Sequence, residues 1–436
     1  MLTRDLLAPD NVPAVLAPYI DRHRVVDGRL RLLWRDLTLA SAFQPIVSFS
    51  HSRIVGHEGL VRVVDARGEA MPPPDLFAHA QAVGELPFVD DACRIMHMIN
   101  ARAAGGWLFL NLQPELFTAI TAPQAREFRE GVQQLLGHAA NRCILEVVEE
   151  AVTDVVQLEE GVQMLRALGL GVALDDFGAG HSNFDRVWRI RPDVVKLDRS
   201  FATHIVEDPM VRRLLPRLVG LLHEAGSLVL LEGIETQDQA LIAMDADVDF
   251  GQGWFFARAT PDPSADPGAL MPQINALWNA HERRSDVLIQ RRREQLAPYL
   301  NAIGYCAVLL ASGVPLGAAA SCFLDLPHAD CMYLLDVEGR QVGTNYSSDR
   351  AHGSQVLQAL GHMHGARWSR RPYFRRALEH PGKPQVTRPY VSISSGRNCV
   401  TVSSHVHIAG ADYVVCGDID WQSAERQGHS LISEDW

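Results

Sequence analysis

Cysteine is scarce and unpatterned in this chain. The seven cysteines, Cys93, Cys143, Cys306, Cys322, Cys331, Cys399 and Cys416, are odd in number and none forms a C-x-x-C pair. That removes the usual zinc and dithiol signatures and leaves small buried hydrophobes, as in a reducing cytoplasm. The N-terminus, MLTRDLLAPDNVP, carries charge early and lacks a long apolar core, so no signal peptide is expected. Positive charge is in deficit: 40 Lys and Arg face 52 Asp and Glu, a net −12 that argues against a general DNA- or RNA-binding surface. A small anionic ligand stays open, provided metals and a few local cations hold it. Long hydrophobic runs are lacking too. The uncharged stretch from Tyr305 to Leu324, behind Arg291–Arg293, is broken by Gly313, Pro315 and Gly317 and is rich in Ala and Ser. It is expected to form a buried helix-turn segment, not a membrane span.

What the chain does have is length and a regular alternation. Its 436 residues are enough for two or three domains. The first 40 residues, with LLAP and RLRLLWRDL as apolar-periodic pieces, read as an N-terminal helical segment. From Phe43 to Ala259, short β-rich runs alternate with helical patterns such as DACRIMHMINARAA, VQLEEGVQMLRALG and MVRRLLPRLVGLLHEAG. About seven or eight such units suit a TIM-like (β/α)8 barrel better than an open sheet. The opening run FQPIVSFSHSRIVGHEGLVRV reads as a hairpin turning at HS, which makes the first strand antiparallel. The expected plan is a barrel over 41–262, a linker helix over 263–300 that Pro298 ends or kinks, and an α+β domain over 301–436.

Polar residues stand where the apolar runs of the barrel end. Glu58, Asn111, Glu146, the pair Asp175–Asp176, Lys196, Glu232 and Gln252 fall at successive strand ends. In one barrel these side chains converge on one rim, and gathered carboxylates need cations between them. Hard divalent metals and phosphate-ester hydrolysis are the natural candidates. Glu58, Asn111, Glu146 and Asp175 would serve one ion, and Asp175, Asp176 and Glu232 a second. Lys196 would place a point charge near a phosphate oxygen or the attacking water. Gln252 and Glu235 would orient ligands or water. Singly, each signal has a plain reading: an Asp pair caps a helix, a lysine points to solvent, and Asn111 makes an Asx turn. Caps do not explain the whole series.

The joint pattern of FQPI, VGHEGLVR, LNLQP, LEVVEE, LDDFGAGHSNF, PDVVKLDRSF, LEGIET and GQGWFFARA resembles the EAL-domain family of bacterial cyclic di-GMP phosphodiesterases. The resemblance covers Phe43 to Ala259. It implies a Mg2+- or Mn2+-dependent enzyme, two ions per site, that opens cyclic di-GMP to linear pGpG and works as a homodimer. It also implies Glu232 as general base, Lys196 as catalytic lysine, and Gln44 and Arg62 as contacts to the dinucleotide. Glu149 and the loop holding Gly178, Gly180 and Ser182 would couple dimerisation to turnover. Three features depart from the family: Gly59 stands for the usual Ala, Val148 for Thr, and His181 and Asn183 for Tyr and Ser. The rival reading is a cyclic di-GMP receptor with little or no turnover; the complete acidic set favours the enzyme.

Beyond Cys331 the runs CMYLLDVEGRQVGTNY, PQVTRPYVSI, RNCVTVSSHV and DYVVCGDID read as antiparallel strands around a helical WSRRPYFRRALEH. This part resembles the Cache/PAS-type sensory domain that follows some EAL domains, the YkuI C-terminal type. The resemblance implies a small-molecule signal, for which Arg371, Tyr373, Tyr390 and Asp418 are the candidate ligands' contacts.

Overall fold

The computed structural model describes residues 7, 11–113, 123–148, 155–167, 169–180, 184–263, 270–348, 363–393 and 395–421. They fall into two compact units, Met1–Glu282 and Arg283–Trp436.

In the first unit eight strands close a barrel: β1 Leu37–Ser48, β2 Arg53–Val64, β3 Trp107–Leu112, β4 Cys143–Val148, β5 Gly171–Phe177, β6 Val194–Leu197, β7 Leu228–Leu231 and β8 Phe250–Gly251. From β2 to β8 each strand lies parallel beside the next, and β1 closes the ring antiparallel to both β8 and β2. This is the expected barrel with its reversed first strand. The hairpin turns between Ser48 and Arg53, where Ser52 takes φ 52°. Parallel strands buried on both faces read as continuous apolar runs. One side of them, with Ile46, Phe109, Ile144, Ala173, Val194, Leu230 and Phe250, fills the barrel interior. The other packs under helices, among them Leu86–Ala101, Val155–Ala167 and Pro209–Glu224. The last two end at Gly169 and Gly226, whose φ of 72° and 91° only glycine adopts without strain.

The N-terminal segment corrects the helical expectation. Its described helices are short, Ala14–Leu16 and Ala17–Ile20, and His23–Val26 and Arg29–Trp34 are antiparallel strands that extend the sheet from β1. In Arg29–Trp34 the buried residues are Leu30, Leu32 and Trp34, every second position, which is the period of a strand.

Helix Met271–Ala311 has its first turns in the first unit and the rest in the second. It continues through Pro298, so the proline does not end it. Leu296, Tyr299, Ala302, Ile303, Cys306 and Leu310 all bury in the second unit's core and carry the helix on. The expected helix-turn segment follows as the end of this helix, then Leu316–Ala319 and Ser321–Leu324. Among the described residues no helix is long and apolar enough to cross a membrane. The second unit is built on an antiparallel sheet of β9 Ala329–Asp336, β10 Gln341–Ser347, β11 Gln385–Val386, β12 Tyr390–Val391, β13 Asn398–Ile408 and β14 Ala411–Asp420. The order is β10-β9-β14-β13-β11, with β12 also on β13, and helix Pro372–Glu379 packs on the sheet. The run PQVTRPYVSI, expected as one strand, is two short ones, because Pro389 has no N–H to give the ladder.

Candidate metal centre

The parallel register sets the polar residues side by side at one rim. Asn111 is paired with Glu146, Val148 with Asp175, and Lys196 with Leu230. Two residues differ from the expected strand ends: Glu146 lies inside β4, with Val147 and Val148 beyond it, and Glu58 lies inside β2. Past Gly59 that strand leaves β3 and continues in the hairpin with β1 and, at Val63 and Val64, beside the short strand Ala70–Met71, so Glu58 still stands at the rim of the barrel proper. Asp175 and Asp176 are neighbours, and in a regular strand they would face opposite ways. A register break between Leu174 and Phe177, with Asp176 at φ 55°, turns both to the same side. Oxygens of Asp175, Asp176 and Glu232 all lie within 4.8 Å of one another.

Lys196 is the hub. It is 1% exposed, and its ammonium lies 2.5 Å from Glu146 Oε1, 2.9 Å from Asp175 Oδ1, 2.7 Å from Glu232 Oε1 and 4.0 Å from Glu58 Oε1. Lys196 and Lys383 are the only lysines of a chain with 40 Lys and Arg. A compact ammonium is what a gap between four carboxylates admits; a planar guanidinium is not. Glu58 is oriented from its other side by two amides, Asn111 Nδ2 donating to Oε1 at 3.1 Å and Gln252 Nε2 to Oε2 at 2.6 Å.

The protonation pattern follows from crowding. Burial raises the Glu146 carboxyl well above its ordinary value, Glu58 and Asp175 add to the rise, and Lys196 opposes it. Glu232 is raised by burial and by Asp175 and Glu58, again against Lys196, and Asp176 is raised by burial and by Asp175. For Lys196 burial works to lower the pKa, but the surrounding carboxylates overcome it and hold the ammonium protonated. One ammonium does not neutralise Glu58, Glu146, Asp175, Asp176 and Glu232. Glu146 Oε2 and Gln252 Oε1 are buried with no hydrogen-bond partner, and Glu146 Oε1 and Asp175 Oδ1 meet only the Lys196 ammonium. Unsatisfied buried oxygens around an excess of negative charge are the donor set that hard divalent cations take. The residues fit the implied metals.

Around this cluster the other expected residues are placed unevenly. Gln44 is paired with Glu58 across the hairpin, and its Nε2 donates to Ala257 O at 3.4 Å. Arg62 and Asn111 line a cavity of about 480 Å3. Arg94, His97 and Gln113 line it too; they went unnoticed in the sequence because the first two come from the inner face of a helix. Trp254, two residues past Gln252, is exposed with the Arg258 guanidinium 4.3 Å above its ring. Glu235 is not brought into the cluster. It is exposed before the Thr236 cap of helix Gln237–Asp245, and its backbone N–H donates to Gln239 Oε1. Gly178 takes φ 95°, and a Cβ there would meet Phe201 at 2.1 Å, so the start of the loop requires glycine. Gly180 is exposed next to it. Glu149 and Ser182, with His181 and Asn183, lie outside the described residues. In the second unit Arg371, Tyr373, Tyr390 and Asp418 line one cavity.

The model of the EAL domain matches residues 29–259. The chain belongs to the EAL-domain family. The EAL domain of this chain is 26% identical over 227 residues to the probable cyclic di-GMP phosphodiesterase PdeB of Escherichia coli K12, covering 50% of this chain and 42% of that protein. It is 33% identical over 103 residues to the cyclic di-GMP phosphodiesterase RocR of Pseudomonas aeruginosa, covering 24% and 26%. The chain thus spans less than half the length of these relatives. Beyond the EAL domain, the structure superposes on that of Bacillus subtilis YkuI, a protein with an EAL domain solved with cyclic di-GMP and calcium. The TM-score is 0.73 at 20% identity, over 87% of this chain and 96% of YkuI, so the second unit's fold is shared as well.

Proposed function

We propose that this chain hydrolyses one phosphodiester of cyclic di-GMP to give linear pGpG, with Mg2+ or Mn2+ as cofactor. The observation that carries the reading is the closed ring of carboxylates around Lys196 at the rim of an EAL barrel. Receptors without turnover would not need the full acidic set. Glu58, Asn111, Glu146, Asp175, Asp176 and Glu232 would hold two cations, which supply an acidified water and neutralise the charge gathering on the phosphate. The rest is the work of the chain. Asn111 and Gln252 fix the plane of the Glu58 carboxylate by donating to both of its oxygens. Lys196, kept charged, holds a phosphate oxygen or the attacking water by its point charge. Glu232, with its raised carboxyl, accepts the proton of that water. Gln44 and Arg62, at the edge of the cluster and its neighbouring cavity, contact the dinucleotide.

The second unit acts as a sensor whose ligand adjusts turnover, and the working form is a homodimer. Support for the dimer is an apolar stripe on helix Pro209–Glu224, where Met210, Leu214 and Leu221 share one face and are all exposed. The test is incubation of the purified chain with cyclic di-GMP and Mg2+, then Mn2+, with the products separated by chromatography. Appearance of pGpG, abolished by Glu58→Ala, is the expected result; tight binding with no pGpG under either metal would make the chain a receptor.

A further inference from the structure

The end of the barrel away from the carboxylates is not closed by packing. A cavity of about 810 Å3 opens there, where the cavity beside the metal centre has about 480 Å3. The last residue of β1, the first residues of β2, β3, β7 and β8, and the hairpin turn all contribute to its lining. In barrels of this plan that face ordinarily serves stability, and the rim serves binding. Here it combines a fixed frame with unmatched donors. Arg142 donates to Ala104 O, to Gly106 O at 3.1 Å and to Arg102 O at 3.2 Å, which holds the loop before β3 in place. Ser48 Oγ and His51 Nδ1 lie 3.0 Å apart across the hairpin turn. Trp107 meets Phe250 edge-on at 5.6 Å and Phe109 at 6.5 Å, an aromatic floor packed on the barrel interior.

Three groups of the lining have an N–H to give and nothing to receive it. Arg53 is exposed and, among the described residues, has neither an ion pair nor a side-chain hydrogen bond. The Trp107 indole is unpartnered in the same sense. His57 is only 8% exposed, and its imidazole also makes no hydrogen bond among the described residues, a state that buried polar groups seldom keep. Apart from this cavity it lines only a pocket of about 10 Å3 under helix Leu86–Ala101, barely the room one water needs. The carboxylate in the lining is already engaged: Asp249 Oδ2 accepts from the Val229 N–H at 2.8 Å and lies 2.8 Å from His223 Nε2. The unmatched charge of the cavity is therefore the Arg53 guanidinium, beside an apolar floor.

We propose that this cavity is a second ligand site, for a small hydroxyaryl carboxylate whose carboxylate meets Arg53, whose ring lies on the Trp107–Phe250 floor and whose hydroxyl meets His57. Arg53 and His57 are four residues apart on β2, about 13 Å of strand, so a ligand with a polar group at each end suits them better than a lone carboxylate. The guanidinium gains a charged acceptor, the imidazole gains a partner, and the ring covers Leu228, which is 41% exposed in the lining. The volume is within the range that small-molecule pockets occupy, and no wall has to move.

The test is calorimetric titration and thermal melting of the full-length protein with para-hydroxybenzoate. Benzoate lacks the hydroxyl, phenol lacks the carboxylate and acetate lacks the ring. Para-hydroxybenzoate should bind saturably with a Kd below about 1 mM and raise the melting temperature, and each of the other three should bind at least about fivefold more weakly. Arg53→Gln and Leu228→Glu, both at exposed positions, should each weaken binding at least about tenfold while the free protein melts as the parent does. Arg62→Gln, in the cavity at the other end of the barrel, should leave the affinity unchanged. Absence of saturable para-hydroxybenzoate binding to the parent protein would overturn the proposal. So would phenol binding as tightly as para-hydroxybenzoate, or binding that survives both Arg53→Gln and Leu228→Glu. Loss of binding in Arg62→Gln would place the ligand in the cavity at the rim and overturn it too.

Discussion

A Cβ added to Gly59 would lie 3.2 Å from the His97 side chain and 3.2 Å from Leu110 Cδ2. The departure from the family's alanine is therefore matched by the bulk of His97. That imidazole is fixed by Ser41 Oγ at 2.9 Å and kept neutral, its pKa lowered to about 3 by burial and by the charges of Arg62 and Arg94. Gly59→Ala should cost about 1 kcal/mol through overpacking, and the cost should vanish in a His97→Ala background; a urea-denaturation double-mutant cycle reads the coupling. Asp418 allows a pH prediction. Burial pushes its carboxyl up to about 7, while an unfolded aspartate titrates at about 3.9. Between these values the folded unit keeps a proton that the unfolded chain has released. Its stabilising share is thus complete below about pH 4 and is lost as pH rises toward 7. Asp330, also raised by burial, acts in the same sense, while the Arg371 charge opposes the rise at Asp418. Calorimetric melting of the second unit should show a loss on the order of a few kcal/mol across that window, and Asp418→Asn should flatten it. Much of the barrel site was legible residue by residue, since Asn111, Asp175, Lys196 and Glu232 stand at or near the ends of apolar runs, whereas Glu58 and Glu146 lie inside strands that run on past them. The facing of Asp176 was not legible, because it depends on one backbone angle.

At the scale of elements, two misreadings have separate causes. Arg29–Trp34 carried its strand period openly, in Leu30, Leu32 and Trp34, but the apolar spacing of RLRLLWRDL was read as that of a helix. Pro298 is different: the local rule was right and tertiary packing overrode it. The residue is exposed on a helix whose opposite face buries Leu296, Tyr299, Ile303 and Cys306. The missing N–H and the ring's clash with the preceding turn act on the solvent side, where the helix can yield slightly without losing its core contacts. Burial of that face outweighs a cost of about 3 kcal/mol. Pro298→Ala should therefore recover about 1–3 kcal/mol, seen as a higher melting temperature of the second unit. An unchanged melting temperature would mean that the proline's cost has already been relieved by local bending.

For the molecule as a whole, the sharpest question is assembly. A chain of net charge −12 repels its own copies, so any self-association must come from a local apolar surface. Helix Pro209–Glu224 offers one: Met210, Leu214 and Leu221 recur at spacings of four and seven and lie 59%, 47% and 49% exposed. Single exposed leucines are ordinary, but three aligned on one helix face form a stripe that water solvates poorly. The spacing is visible in MVRRLLPRLVGLLHEAG, yet the sequence does not tell which apolar face the barrel takes. Only the fold shows that Leu215, Val219 and Leu222 go inward and leave the other stripe out. Pairing two copies through this stripe buries apolar area on both sides at about 25 cal/mol per Å2 and needs no change in the barrel. Light scattering should give twice the 48.2 kDa chain mass for the parent protein. Leu214→Glu with Leu221→Glu should return it to a single chain while leaving thermal stability within about 0.5 kcal/mol, because both positions are at the surface. A double variant that stays dimeric would move the interface elsewhere on the molecule.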